Sequence, residues 1–252
     1  MKFLMLLLLC VTSWSQATES VMVYNISQHR VEYQQDVDSV RSIASITKLM
    51  TAMIVLDHNR DLEKKLVLNT KVASRLPKQQ YSQRQLLEAM LIYSDNAAAE
   101  TLAEDFPGGR STFVKLMNQY ARNWELKNTR FIDPSGLSPF NVSTARELTE
   151  LVYLASSYWF IKETGGKKHL AINTTHGKKT RRIELFHTSG NILDFDQVVM
   201  SKTGLTAAAG WCVGMVVGRA RQQYVVVVLG SKTKAARFST VKTTMTRYVV
   251  DN

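Results

Sequence analysis

The chain has 252 residues, 32 Lys and Arg against 21 Asp and Glu, a formal charge of +11 and two cysteines. That length suits one large domain or two small ones, with a core big enough to stand without a disulfide. The positive excess suits a polyanionic partner, such as a cell-wall polymer or an anionic membrane surface, or it is simply a solvated basic face. Nucleic acid fits the charge, but no nucleic-acid-binding motif accompanies it, and an export signal argues against it.

The signal comes first. Lys2 precedes a compact apolar run from Phe3 to Val11, and Ser15-Gln16-Ala17 places small residues where a signal peptidase reads. Residues 1–17 are therefore expected to be a secretory leader cleaved after Ala17, too short to span a bilayer. Leu9 ahead of Cys10 argues against a lipoprotein anchor. Residues 18–252 are expected to be a single domain in which only Cys212 remains. Set among Trp211, Val213 and Met215, it reads as a buried inert thiol with no disulfide partner. No later segment is long and apolar enough to cross a membrane.

Residues 20–25 and 30–35 read as strands joined by a turn at Ser27-Gln28-His29. From Ser45 to about His58, Ile46, Leu49, Met50, Met53 and Ile54 recur at helical spacing. Residues 60–82 are mixed, with a short strand possible at Leu66-Val67-Leu68. Helices are expected over 83–93, 97–104 and 111–124, the second stopped by Pro107-Gly108-Gly109. Phe131 to Leu137 is a turn-rich loop. Ser143 or Thr144 opens another helix, with Glu147 at capping-box distance from Thr144. Residues 162–191 are basic and weakly patterned. A strand follows at 197–200, then a hairpin of 211–217 and 224–229 about Gly218 to Arg221. A last helix over 232–250 turns Phe238, Val241, Met245 and Tyr248 inward. The expected fold class is α+β: an antiparallel sheet built from both chain ends, with a helical subdomain inserted.

Three short motifs carry chemistry. Ser45 and Lys48, three apart at the start of an oily helix, share one face, so the amine reaches the hydroxyl. Burial there lowers the amine's pKa and equips it to take a proton. Ser94-Asp95-Asn96 falls between two helices, where a loop can line a cleft. Lys202-Thr203-Gly204 follows a strand. Each has a plainer reading: Ser45 and Ser94-Asp95-Asn96 as helix caps with Lys48 in solvent, and Lys202-Thr203-Gly204 as an exposed strand end. Together they supply an acyl-transfer site. Ser45 attacks, Lys48 acts as base and Ser94 relays the proton to the leaving nitrogen. Asn96 donates to a substrate carbonyl. Lys202 and Thr203 form a pocket for a carboxylate, with Lys202 positively charged. Gly204 lets substrate lie against the strand edge, and the N–H groups of Ser45 and Leu205 face the oxyanion.

Ser-x-x-Lys, Ser-Asp-Asn and Lys-Thr-Gly in this order are the signature of class A β-lactamases and penicillin-binding proteins. The chain resembles the low-molecular-mass penicillin-binding proteins, serine D-Ala-D-Ala peptidases. Ile43 to Met53, Asn128 to Phe131, Pro134 to Leu137, Asn141 to Arg146, and Lys202-Thr203-Gly204 with Ala208-Ala209-Gly210 carry the likeness, which covers nearly all of 20–250. The resemblance implies a β-lactamase-like DD-peptidase fold and a periplasmic D-alanyl-D-alanine endopeptidase. Its substrate would be the D-Ala–diaminopimelate cross-link between peptidoglycan stem peptides, and β-lactams would acylate it. No cofactor and no metal are implied. The alternatives are a D,D-carboxypeptidase and a non-catalytic wall-binding protein. A second β-rich domain and an amphipathic anchor, usual in the carboxypeptidases, are expected to be missing. Asp133 is the only acid in Phe131 to Val142, where a β-lactamase places its deacylating glutamate. Fast penicillin hydrolysis is therefore not expected.

Overall fold

In the computed structural model, which describes residues 18–58, 61–176 and 179–250, the first hairpin forms as its β-branched and aromatic residues dictate. β1 (Ser20–Asn25) pairs antiparallel with β2 (Arg30–Gln35). The leader expected at 1–17 lies outside the described residues. After β3 (Arg41–Ser42), a 3₁₀ turn over Ala44–Thr47 runs straight into α1 (Lys48–His58). The helix expected from Ser45 thus begins at Lys48, and Ser45 sits in the tighter turn ahead of it. Lys48 to Val55 are all buried, as suits a helix apolar on every side.

β4 (Lys65–Val67) and β5 (Gln80–Ser82) form a short antiparallel ladder. Then come α2 (Gln83–Ile92), α3 (Asn96–Glu104) and α4 (Gly109–Asn123). A full capping box starts α2: Gln85 N donates to Ser82 Oγ and Ser82 N donates to Gln85 Oε1. β6 (Val142–Ser143) pairs with β3, and α5 (Ala145–Ser157) starts where expected, with Thr144 Oγ1 accepting from Glu147 N. The box expected there is only half formed. Glu147 turns its carboxylate instead to Asn128 N at 2.9 Å and Thr129 Oγ1 at 2.6 Å.

Much of the weakly patterned stretch forms regular elements. α6 (Trp159–Gly165) leads to a hairpin of β7 (His169–His176) and β8 (Lys179–Phe186). Its inward pattern is short: Leu170 lies opposite Leu185 and Ile172 opposite Ile183, with basic and polar residues around them. β9 (Val198–Thr206), β10 (Gly210–Arg219) and β11 (Gln222–Ser231) follow. Lys202-Thr203-Gly204 therefore lies inside a strand, not after one. Ala220 and Arg221, both with positive φ (45° and 69°), make the two-residue turn that matches hairpin twist. α7 (Lys234–Met245) and a π turn over Thr246–Val250 come last.

The main sheet runs β2-β1-β11-β10-β9, with every neighbouring pair antiparallel and β9 at a free edge. Both chain ends build it, as expected: Ser20 lies opposite Leu229. Strand alternation gives the sheet two apolar faces. Val21, Val23, Val226 and Val228 meet Val241 and Met245 of α7, against which Phe238 and Tyr248 pack half-buried. Met22, Val225, Val227 and Leu229 face α1 and the helical subdomain. Among the described residues no helix is long and apolar enough to cross a membrane.

Candidate active site

Ser45 owes its position to two glycines far away in sequence. A β-carbon on Gly136 would stand 2.0 Å from Ala44 O, and one on Gly204 would stand 2.9 Å from Ile43 O and 3.1 Å from Ser45 N. The loop after Pro134 and the strand β9 thus close on the 3₁₀ turn from two sides. Gly136 also adopts φ +82°, which other residues avoid. The sequence reading had Gly204 making room for substrate; in the structure its missing side chain makes room for the turn that carries Ser45.

Lys48, the first residue of α1, is fully buried. Its Nζ lies 2.9 Å from Ser45 Oγ and 2.8 Å from Asn96 Oδ1, and it also reaches the carbonyl of Ser135. Those last two partners only accept. A neutral Lys48 amine gives them its two hydrogens and keeps its lone pair for the Ser45 hydroxyl. Burial brings Lys48 down to about 7, while Asp133, Asp95 and Glu100 oppose the fall. Near neutrality the amine is therefore ready to take a proton.

The Ser135 carbonyl is held by a buried network. Asp133 accepts from Ser135 N (2.8 Å), Ser135 Oγ (3.0 Å) and Ser138 N (2.6 Å), and also from Gly136 N. Glu100 accepts from Ser135 Oγ and pairs with Arg110 at 2.6 Å. Asn141 takes Ile132 N and donates to Asp133 O and Thr47 Oγ1. Sequence reasoning did not single out Glu100, Ser135 or Asn141 as site residues. The available signal was the Asp-Pro-Ser-Gly turn, whose acid accepts from its own loop. With those bonds made inside the loop, Asp133 is no stand-in for a deacylating glutamate.

Asp95 caps α3 through Oδ1 (Ala98 N, 2.9 Å), and Ser94 ahead of it takes φ 58°. This brings Ser94 Oγ to 2.8 Å from Lys202 Nζ, which also donates to Thr203 O. Lys202 is fully buried. Burial first, then Lys48 and Arg237, push it well below the ordinary lysine value. Its surroundings therefore disfavour the positive charge read for it from the sequence. Thr203 donates to Thr188 Oγ1 at 2.6 Å, and Leu205 is exposed on the same strand. Ser45, Ser94, Asn96, Thr203, Gly204 and Leu205 all line one cleft of about 440 Å³. Lys48 and Lys202 are bonded to its wall.

Arg237 was missed. Its buried guanidinium lines the cleft, 5.5 Å from the Trp211 ring, and donates to Cys212 O while its Nε is unpartnered. The signal was a basic residue four before Val241, on the apolar face of α7. Cys212 itself is buried, and burial pushes its thiol up to about 11, as befits an inert side chain.

Residues 11–233 match the family described as D-alanyl-D-alanine carboxypeptidase. The chain is 36% identical over 208 residues to a D-alanyl-D-alanine endopeptidase of Escherichia coli (strain K12), covering 79% of this chain and 66% of that protein. It is 34% identical over 233 residues to one of Pseudomonas aeruginosa, covering 88% and 74%. The chain thus spans about two thirds to three quarters of the length of these relatives. Penicillin-binding protein D2 from Listeria monocytogenes in its cefotaxime-bound form superposes with a TM-score of 0.78 at 30% identity, over 90% of this chain and 95% of that one.

Proposed function

The chain belongs to the D-alanyl-D-alanine carboxypeptidase family, and from that premise we propose that it is a penicillin-sensitive serine D-alanyl-D-alanine endopeptidase. It hydrolyses D-Ala–diaminopimelate cross-links of peptidoglycan. The names borne by its relatives favour this reading. One observation carries the chemistry: a fully buried Lys48 amine, brought to about 7, at 2.9 Å from Ser45 Oγ.

Ser45 attacks the D-Ala carbonyl as Lys48 takes its proton. Ser45 N and Leu205 N face the oxyanion. The leaving amine needs a proton in return, and Ser94, bonded to Lys202, lies on the way to it. Asn96 orients the substrate amide; among the described residues its Nδ2 has no protein acceptor. The carboxylate beside the scissile bond sits with Lys202, Thr203 and Arg237, and its charge favours the protonated form of Lys202. Water then releases the acyl group. β-Lactams acylate Ser45 by the same route, in keeping with the cefotaxime-bound relative. An enzyme acting on peptidoglycan would work in the periplasm, and the charged-then-apolar start of the sequence supports that reading. The basic surface is available for wall or membrane contact.

The D,D-carboxypeptidase activity that describes the family is the second reading. Two measurements decide. Intact mass before and after penicillin should show one adduct on the peptide containing Ser45, absent in Ser45→Ala. Digestion of a cross-linked dimer beside a monomeric pentapeptide should release monomers and leave the pentapeptide whole. Trimming of the pentapeptide alone would replace the first reading with the second. A folded protein that binds muropeptide but forms no adduct would be a wall-binding protein.

A further inference from the structure

Arg75 belongs to no motif, yet it lines the same cleft as Ser45. Its guanidinium carbon lies 4.8 Å from the centroid of the Tyr93 ring, next to Ser94. The backbone is fixed as well: Asp95 Oδ2 accepts from Arg75 N (2.9 Å) and Ser74 Oγ (2.8 Å), while its other oxygen caps α3. One carboxylate therefore orients the loop with Ser94 and Asn96 and the segment with Arg75. Both oxygens of Asp95 are occupied by these donors, and Arg75 forms no ion pair among the described residues. Its charge faces the cleft, supported from below by an aromatic face. Lys202 and Arg237 belong to β9 and α7; Arg75 belongs to the segment between β4 and β5 and lies over Tyr93 at the end of α2.

We propose that Arg75, laid over Tyr93, is an anion subsite for a stem-peptide carboxylate other than the one at the scissile bond. It makes the enzyme selective for stems that carry a free carboxylate there. The inference rests on the endopeptidase reading above. Diaminopimelate is a diacid with two amines. One amine and one carboxyl continue the stem, and in the acceptor stem the second carboxylate is the one beside the scissile bond; the diaminopimelate of the stem that donates the D-Ala brings a further carboxylate that the Lys202 and Arg237 pocket does not serve. A guanidinium fork stacked on a ring binds a planar carboxylate with two parallel hydrogen bonds. An amide in its place forfeits the charge, and a stem with lysine in place of diaminopimelate lacks the group.

The test compares wild type, Arg75→Ala and Arg75→Lys on three cross-linked muropeptides. One is unmodified, one is amidated only at the diaminopimelate of the stem that donates the D-Ala, and one only at the glutamate preceding it. Each kcat/KM is divided by the penicillin acylation rate of the same protein, so general damage cancels. Wild type should prefer one carboxylate form over its amide by about tenfold, and which one identifies the anion. Arg75→Ala should show no preference, and Arg75→Lys should keep part of it, since charge survives while the fork and stacking do not. An Arg75→Ala enzyme that discriminates as wild type does would overturn the subsite. If no muropeptide is cut although Ser45 is acylated, the endopeptidase reading falls. The same three ligands, competing against a fluorescent penicillin, then read the Arg75 preference as inhibition constants, and equal constants in wild type and variant would again overturn it.

Discussion

Lys48 Nζ and Ser45 Oγ stand 2.9 Å apart, on a helix start and in the turn before it, with the amine wholly out of water. Only the neutral amine has a lone pair for the serine proton. Its neutral fraction grows as pH rises through about 7. Acylation of Ser45 by penicillin should therefore fall by about tenfold per pH unit on the acid side. A fluorescent penicillin followed from pH 5 to 9 measures this; a flat profile would remove Lys48 from the base role.

Lys48→Met should abolish acylation and change how stability depends on pH. The folded Lys48 titrates at about 7, against 10.5 when exposed. Between those values the unfolded chain binds the extra proton, so wild-type stability rises with pH across that window. Below it, the full cost of a buried charge is present. Relative to Lys48→Met, wild type should gain up to about 1.4 kcal/mol per pH unit between pH 7 and 10. Urea unfolding of both proteins at pH 6 and 9 tests this, and parallel curves would contradict it.

The glycine clamp makes a ranked prediction. Gly204→Ala meets Ile43 O at 2.9 Å in an ordinary strand, a crowding expected to cost about 1–3 kcal/mol. The shift it forces on Ser45 should slow acylation by about a hundredfold in a folded protein. Gly136→Ala meets backbone oxygen at 2.0 Å and also opposes φ +82°, so it should lose about 3 kcal/mol or more. Thermal melts and acylation rates of the pair check the order; a Gly204→Ala protein that labels normally would show that the turn gives way freely.

Glu147→Ala separates stability from chemistry. It strips the acceptor from Asn128 and Thr129, none of the three being a cleft-lining residue. A loss of about 1–3 kcal/mol is expected, with the acylation rate per folded molecule within twofold of wild type. An acylation defect larger than the loss of folded protein would tie that anchor to the site.

The sequence made legible whatever was local and periodic. The two terminal hairpins, the helices from 83 to 157 and the last helix stand where alternation or helical spacing put them. Periodicity failed where burial was partial: β7 and β8 carry only two facing apolar pairs, so their stretch read as patternless. Strand limits failed at β9, because Lys202 and Thr203 look polar yet are buried in the edge strand. Ser45, Lys48, Ser94 and Lys202 were legible as spaced motifs. Arg237, Ser135 and Arg75 were not, since their part in the cleft depends on contacts between segments distant in sequence. The pull on the Lys202 charge was hidden for the same reason, since it comes from burial in β9 with Lys48 of α1 and Arg237 of α7 nearby.

The clamp on Ser45 also sets a clock. The nucleophile is made early in the chain, but Gly204 is made some hundred and sixty residues later, and β1 must await β11 to complete its pairing. A nascent or truncated chain that stops before β9 has the Ser45 turn held only from the Gly136 side, without Gly204 and without Lys202 behind Ser94. Covalent penicillin labelling of Ser45 therefore counts finished molecules. In a pulse-chase experiment it should lag behind synthesis by the time the carboxy-terminal strands need to dock.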